Sequence, residues 1–186
     1  NETDGNMDEA MEFLRKNGQA KAEKKASRIA AEGIVKVAVK DNSAAIVEVN
    51  SETDFVAKNE KFQTFVEKVA QQALASDAAD MDAFMEEKWI EDNSKSVKDI
   101  LVEQVAVIGE NLKIRRFEKV TAENGCVVDY IHGGGRIGVV VVAETATVND
   151  TVQEALKNLA MQIAALNPKY IDRSEVSADY IAHEKE

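Results

Sequence analysis

Ser51-Glu52-Thr53-Asp54-Phe55-Val56-Ala57-Lys58-Asn59-Glu60 is the stretch on which the fold turns. Before it lies Ala45-Ile46-Val47-Glu48-Val49, β-branched and strand-like; after it a helical pattern begins near Phe62. Strand-to-helix connections are ordinarily short and polar, yet this one sets Phe55 and Val56 among charged neighbours. Loops run over the surface and carry function more often than the elements they join. Two readings follow. Thr53 and Asp54 cap a turn while Phe55 folds back as a hydrophobic staple, or Phe55 projects as an aromatic anchor beside a carboxylate, the profile of an interface hot spot.

Working outward, Gly33-Ile34-Val35-Lys36-Val37-Ala38-Val39 and Ala45–Val49 are β-rich runs joined by Lys40-Asp41-Asn42-Ser43, a hairpin. Beyond the stretch, Phe62, Phe65, Val66, Val69, Ala73 and Leu74 share one helical face. A second helix is expected near 80–90, taking in Met81, Phe84, Met85 and Trp89. A third opens on the capping-box pattern Ser96-Val97-Lys98-Asp99 and runs to Gly109. Leu112 and Ile114 begin a strand that continues towards Val120.

The pattern then recurs. Gly125 to His132 and Arg136 to Glu144 are β-rich and joined by Gly133-Gly134-Gly135. Thr151-Val152-Gln153-Glu154 reads as a capping box, and Val152, Leu156, Leu159 and Ile163 form a stripe. Gly33 falls on Gly125 at an offset of 92 (125 − 33), and Phe62 on Val152 at 90 (152 − 62), which also sets Asn59 on Asn149. Hairpin plus helix is thus an internal duplication. The first copy has about two extra residues between strand and helix, where Thr53-Asp54-Phe55-Val56 replaces the plain Thr145-Ala146-Thr147-Val148.

At the N-terminal end, Asn6 or Asp4 can cap a helix with Met7, Ala10, Met11 and Leu14 on one face, and Gly18 suits the turn that ends it. One amphipathic helix cannot bury its own stripe. From Lys21 to Ala31, alanine and lysine favour an exposed helix. The basic run over 15–28, with Arg15, Lys16, Lys21, Lys24, Lys25 and Arg28 against Glu23, reads as a solvated helix or linker or a contact for an acidic partner.

Composition narrows the function. The 186 residues are 45% hydrophobic, enough for one larger core or two small ones, and the formal net charge is −11. An acidic balance argues against nucleic acid as a direct ligand. No apolar run reaches the ~18 residues that span a bilayer, and no secretory signal is visible. The single cysteine, Cys126, lies in an apolar run, which argues for a structural thiol in a reducing compartment. Two histidines, His132 and His183, lack metal-ligand spacing, and no serine sits in a nucleophile elbow. The glycines of Tyr130-Ile131-His132-Gly133-Gly134-Gly135-Arg136 join two strands, not a strand and a helix, so a hairpin turn fits better than an anion cradle. A small hydrolase using Asp54 and His132 requires those side chains within hydrogen-bond reach in a concave site. A structural interaction module requires Phe55 to be a core staple.

The run Glu48-Val49-Asn50-Ser51-Glu52-Thr53-Asp54-Phe55-Val56-Ala57-Lys58-Asn59 closely resembles the signature of the translation elongation factor Ts family, bacterial type. Gly109-Glu110-Asn111-Leu112-Lys113-Ile114-Arg115-Arg116, His132–Gly138 and Ala164–Tyr170 resemble family stretches too, as do Gly5–Lys16 and Lys21–Gly33. The resemblance implies an α+β fold of two similar subdomains, each an antiparallel β-hairpin-based sheet packed with helices. The remnant of a small ubiquitin-associated-like helical module (1–18) and a basic helical linker (19–32) precede them. The N-terminal core subdomain is then 33–120 and the C-terminal one 121–186. By the same resemblance the chain is expected to be truncated at both ends, lacking the family's first helices and its coiled coil.

The implied function is guanine-nucleotide exchange on elongation factor Tu in the cytoplasm, with no cofactor, no metal, no catalytic residue and no membrane or nucleic-acid ligand. Thr53, Asp54, Phe55 and Val56 are the implied wedge against the GTPase's magnesium and phosphate site, and His132 the implied secondary contact. Magnesium would belong to the partner.

Overall fold

The computed structural model describes residues 6–184; the alternative cap Asp4 lies outside them. The protein is α+β, built of small antiparallel sheets packed against helices. Its elements are α1 (Met7–Lys25), β1 (Glu32–Lys40), β2 (Ser43–Ser51), α2 (Asp54–Ala57), α3 (Glu60–Ala75), α4 (Met81–Glu86), β3 (Lys88–Trp89) and β4 (Asp92–Ser96). These are followed by α5 (Val97–Ile108), β5 (Lys113–Thr121), β6 (Gly125–His132), β7 (Ile137–Glu144), α6 (Asp150–Leu166), a 3-10 turn (Arg173–Glu175) and α7 (Ala178–His183).

The first sheet has the order β1-β2-β5, with β2 bonded on both edges. Its buried face carries Val47 and Val49, and α3 lays Phe62, Phe65, Val66, Val69 and Ala73 onto it, all buried. Each such apolar side chain, once fully buried, contributes about 1.5–3 kcal/mol from area removed from water. The helix starts where Asn59 accepts the Lys61 N–H, as its duplicate Asn149 accepts the Val152 N–H at the head of α6. The second helix therefore begins one residue before Thr151; its cap is Asn149. The Ser96–Asp99 capping box forms in full, and α5 ends on Gly109 in the left-handed conformation.

A bulge between Glu48 and Val49 opposes two arginines to one glutamate. Consecutive residues Arg115 and Arg116 then both reach the Glu48 carboxylate, at 3.0 and 2.7 Å. Burial pushes this carboxyl up, and hydrogen bonds from Arg116, Asn50 and Arg115 outweigh it, leaving Glu48 below its usual range.

Three local expectations are corrected. Gly18 does not end the first helix: α1 runs through it to Lys25, with Gly18 facing Val102 and Ala106 on α5. The helix ends instead where the Lys25 ammonium donates to the Gly109 carbonyl and Asn111 Nδ2 donates to the Arg28 carbonyl at 2.7 Å, so the chain to Ala31 is not helical. Trp89 is not on a helix, because α4 stops at Glu86. Buried Gln72 draws the following backbone into a strand, accepting from Ile90 N–H (2.8 Å) and donating to the Lys88 carbonyl (3.2 Å). Trp89 then packs on Phe65 with ring centroids 6.5 Å apart.

The second hairpin, β6–β7, packs against α6 and repeats the first unit. Cys126 is buried there. Its helix is less covered than the stripe implied: Ala160 is buried, whereas Leu159 is 47% exposed. The tip of this hairpin docks on the first sheet. Val35 N–H donates to the Gly135 carbonyl at 2.7 Å, and Arg136 lies 3.8 Å from Glu32. Among the described residues, no helix is long and apolar enough to cross a membrane.

Gly33 has a φ of +137°, and a Cβ there would lie 2.6 Å from the Asn50 Cα and closer still to the Val49 carbonyl oxygen. Gly33→Ala should therefore destabilise the protein by about 2 kcal/mol or more, seen as a lower urea midpoint. An unchanged midpoint would contradict the pairing of Gly33 with Asn50.

Candidate functional site

The connection after β2 is a clamped helical turn. Ser51 is fully buried, and its hydroxyl donates to the Thr53 carbonyl at 3.0 Å. Thr53 is in extended conformation, and its hydroxyl accepts the Val56 N–H at 3.3 Å, which caps α2. Ala57 is buried and Val56 packs half-buried on the core. With those two side chains turned inward, the residue between Asp54 and Val56 must face out.

Phe55 does so. It is 81% exposed, which overturns the staple reading and with it the requirement of a purely structural module. Beside it, Asp54 accepts from Lys58 Nζ at 2.7 Å across one helical turn. The Lys58 hydrogen bond and charge hold the Asp54 carboxyl below its usual range, with a smaller pull from Arg136.

The clamp comes from residues that the sequence alone did not single out for the site. Glu110, just past the α5 cap, takes the Glu52 and Thr53 N–H groups on Oε2, both at 3.1 Å. Its Oε1 accepts from the Thr53 hydroxyl at 2.6 Å. In return, Glu52 Oε1 accepts the Asn111 N–H at 2.6 Å and lies 3.6 Å from the Arg28 guanidinium. The available signal was the polar pair Glu110-Asn111 directly after a helix-ending glycine, where a side chain is free to serve another segment.

His132 sits at the end of β6, exposed, with its Nδ1 2.9 Å from the Tyr130 hydroxyl. The glycines after it have positive φ, 61°, 68° and 98°, so they form the hairpin turn. Because Gly135 and Arg136 dock near the start of β1, which pairs with the end of β2, this turn and the Thr53–Val56 turn belong to the same end of the first sheet.

Asp54 and His132 do not form a dyad. The carboxylate is engaged by Lys58 and the imidazole by Tyr130, with no hydrogen bond between them. Two open grooves exist elsewhere. One, about 510 Å³, lies between α1, α4 and α5 and is lined by Ala22, Met85, Leu101, Val102, Val105 and Leu112; the other lies beside Val37–Lys40. Neither is lined by Thr53–Val56 or His132. Among the described residues, no group of three or more His, Cys, Asp or Glu could hold a metal ion.

The two connections of the duplicated unit differ by more than the offset indicated. The first spans 52–58 and the second 145–148, seven residues against four. The second hairpin's turn, 133–136, is itself two residues longer than 41–42 and hides part of the difference. The extra length is the helical turn that carries Phe55.

Fold and site together define an α+β protein that displays an exposed aromatic on a hydrogen-bonded turn. The elongation factor TS family model matches residues 52–186. The chain is 51% identical over 187 residues to elongation factor Ts of Clostridioides difficile (strain 630), covering all of this chain and 61% of that protein. It is 47% identical to elongation factor Ts of Halothermothrix orenii, again over the whole chain and 62% of the relative. The match to the Trichlorobacter lovleyi factor is also 47%, covering 61% of it. The chain belongs to the elongation factor Ts family and spans about three fifths of the length of these curated relatives.

Since the Lys58 ammonium depresses the Asp54 pKa, their pairing is fully present at neutral pH and is lost only as pH falls through the lowered value. Carboxyl NMR titration should show Asp54 ionising below ordinary aspartates, and Lys58→Met should move it upward. An Asp54 curve untouched by that substitution would contradict the pairing.

Proposed function

We propose that the protein acts in translation elongation, in the cytoplasm, as a guanine-nucleotide exchange factor for the GTPase elongation factor Tu. It works by binding, without covalent chemistry or a cofactor of its own. The observation that carries this reading is the 81% exposure of Phe55 on a turn whose backbone is fixed by Ser51, Glu110 and the Thr53 cap. An aromatic held in water on rigid backbone loses little conformational freedom when a partner covers it, and such residues dominate binding energy.

In this reading Thr53 sets the turn, Phe55 enters the GTPase beside its magnesium and phosphate site, Asp54 brings negative charge, and Val56 supports the wedge from below. Displacing the groups that hold magnesium weakens the hold on GDP. His132, on the neighbouring hairpin tip, contacts a second region of the GTPase. The units at 33–120 and 121–186 then serve as two grips, with 1–18 and 19–32 a helical module and its linker. The net charge of −11 suits a protein surface rather than RNA.

Exchange demands that the factor bind nucleotide-free GTPase more tightly than the GDP form. By linkage, GDP must then weaken the factor by the same ratio, so the cycle is reversible.

Stopped-flow release of a fluorescent GDP from elongation factor Tu tests the wedge. Phe55→Ala should slow factor-stimulated release by about thirtyfold, the scale of a 2 kcal/mol hot spot, and adding Asp54→Ala should slow it further. Wild-type release by the double variant would rule the wedge out. Binding of the GTPase with no acceleration by the unmodified protein would leave it a docking module instead.

A further inference from the structure

The geometry points to Glu110 as the positioning residue of the Phe55 wedge, holding the turn in its partner-competent conformation before any partner arrives. The inference rests on the exchange reading above.

Among the described residues, every hydrogen bond of the Glu110 side chain goes to Glu52 or Thr53, which lie 58 and 57 positions earlier in the chain. None goes to its own helix or strand. One carboxylate oxygen gathers two successive backbone N–H groups, those of Glu52 and Thr53. The other oxygen takes the single hydroxyl hydrogen of Thr53, at 2.6 Å. That leaves the hydroxyl's lone pairs for the Val56 N–H, so Glu110 also orients the cap of α2.

A second carboxylate works in the opposite direction. Glu52 Oε1 accepts the Asn111 N–H, so residues 52–53 and 110–111 hold each other reciprocally. This pair is tied to the end of α1 through Asn111 to the Arg28 carbonyl and Lys25 to the Gly109 carbonyl. None of these hydrogen bonds goes to Phe55. The carboxylate acts on the backbone two residues before the ring, which makes it a positioning group and not a contact.

Without the carboxylate the entry to the turn loses three hydrogen bonds. The Ser51 and Thr53 hydroxyls, Glu52 and the inward-packed Val56 and Ala57 remain, and the proposal is that these alone leave it sampling several conformations. If the GTPase selects the competent one, the apparent affinity falls by the fraction of time that conformation is populated. The rate at saturation, set by the wedge once seated, stays the same. Loss of Phe55 itself lowers the saturating rate, so the two residues leave different kinetic signatures.

The test is GDP release from elongation factor Tu over a range of factor concentrations. Glu110→Ala should raise the half-saturating concentration about tenfold, as expected for a competent fraction near one tenth, with the saturating rate within about twofold of wild type. Glu110→Gln should largely rescue it, because the amide oxygen can take both N–H groups and its NH₂ can donate to Thr53. In a Phe55→Ala background, Glu110→Ala should add less than about twofold, since it acts only through the wedge. An unchanged half-saturating concentration in Glu110→Ala, or a full additional loss in the Phe55→Ala background, would overturn the assignment. Should Glu110→Ala not fold, Glu110→Asp, a methylene too short to span the clamp, gives the same comparison against Glu110→Gln. Phe55→Ala without effect would instead overturn the exchange reading itself.

Discussion

The structure depends on β2 being hydrogen-bonded along both edges. A strand in that position has no free backbone groups to shift its register, and a one-residue slip would turn Val47 and Val49 out of the core. The pairing with β1 fixes Gly33 against Asn50, the pairing with β5 fixes the bulge at Glu48, and α3 closes over the buried face. Whatever leaves the end of β2 therefore leaves from a fixed point in a fixed direction. The turn that carries Phe55 starts there, one residue after the fully buried Ser51.

That arrangement explains how a four-residue helix can be held out in water. A helix of one turn has no stability of its own, since nucleation costs more than one hydrogen bond returns. Here the cost is met by tertiary groups: Ala57 and Val56 pack inward, Thr53 caps, and the carboxylate of Glu110 binds the entry. The apolar side chain left over is exposed because its neighbours are not. The second copy of the unit has only Thr145–Val148 in the corresponding place, with Thr145 and Thr147 bonding to each other and no helical turn. The comparison separates what the fold needs from what was added to one copy.

Much of this was legible locally. Alternating β-branched runs gave both hairpins, the Phe62–Ala73 periodicity gave α3, and Ser96 with Asp99 and Gly109 bracketed α5. These are signals that span a few residues. What sequence could not resolve depended on residues far apart in the chain. Trp89 reads as helical until Gln72 is seen bonding the backbone around it. Gly18 reads as a stop until α5 is seen packed against it. Phe55 stood between staple and wedge because sequence does not show which side chains of a turn face the core; Val56 and Ala57 do, and Phe55 does not. Glu110 could not be assigned to the turn at all, since its partners lie more than fifty residues away. The family resemblance pointed to Thr53–Val56, but the hydrogen bonds from Glu110 that hold this turn are a property of the packed molecule.

In the proposed exchange cycle, Phe55 distinguishes the nucleotide-free from the GDP-bound GTPase. Isothermal titration of the protein into nucleotide-free and into GDP-loaded elongation factor Tu measures that directly. Much tighter binding to the nucleotide-free form is expected, by a ratio equal to the factor by which the protein lowers GDP affinity, with a marked shrinkage of that ratio in Phe55→Ala. Equal affinity for the two forms, or a ratio that Phe55→Ala leaves intact, would contradict it.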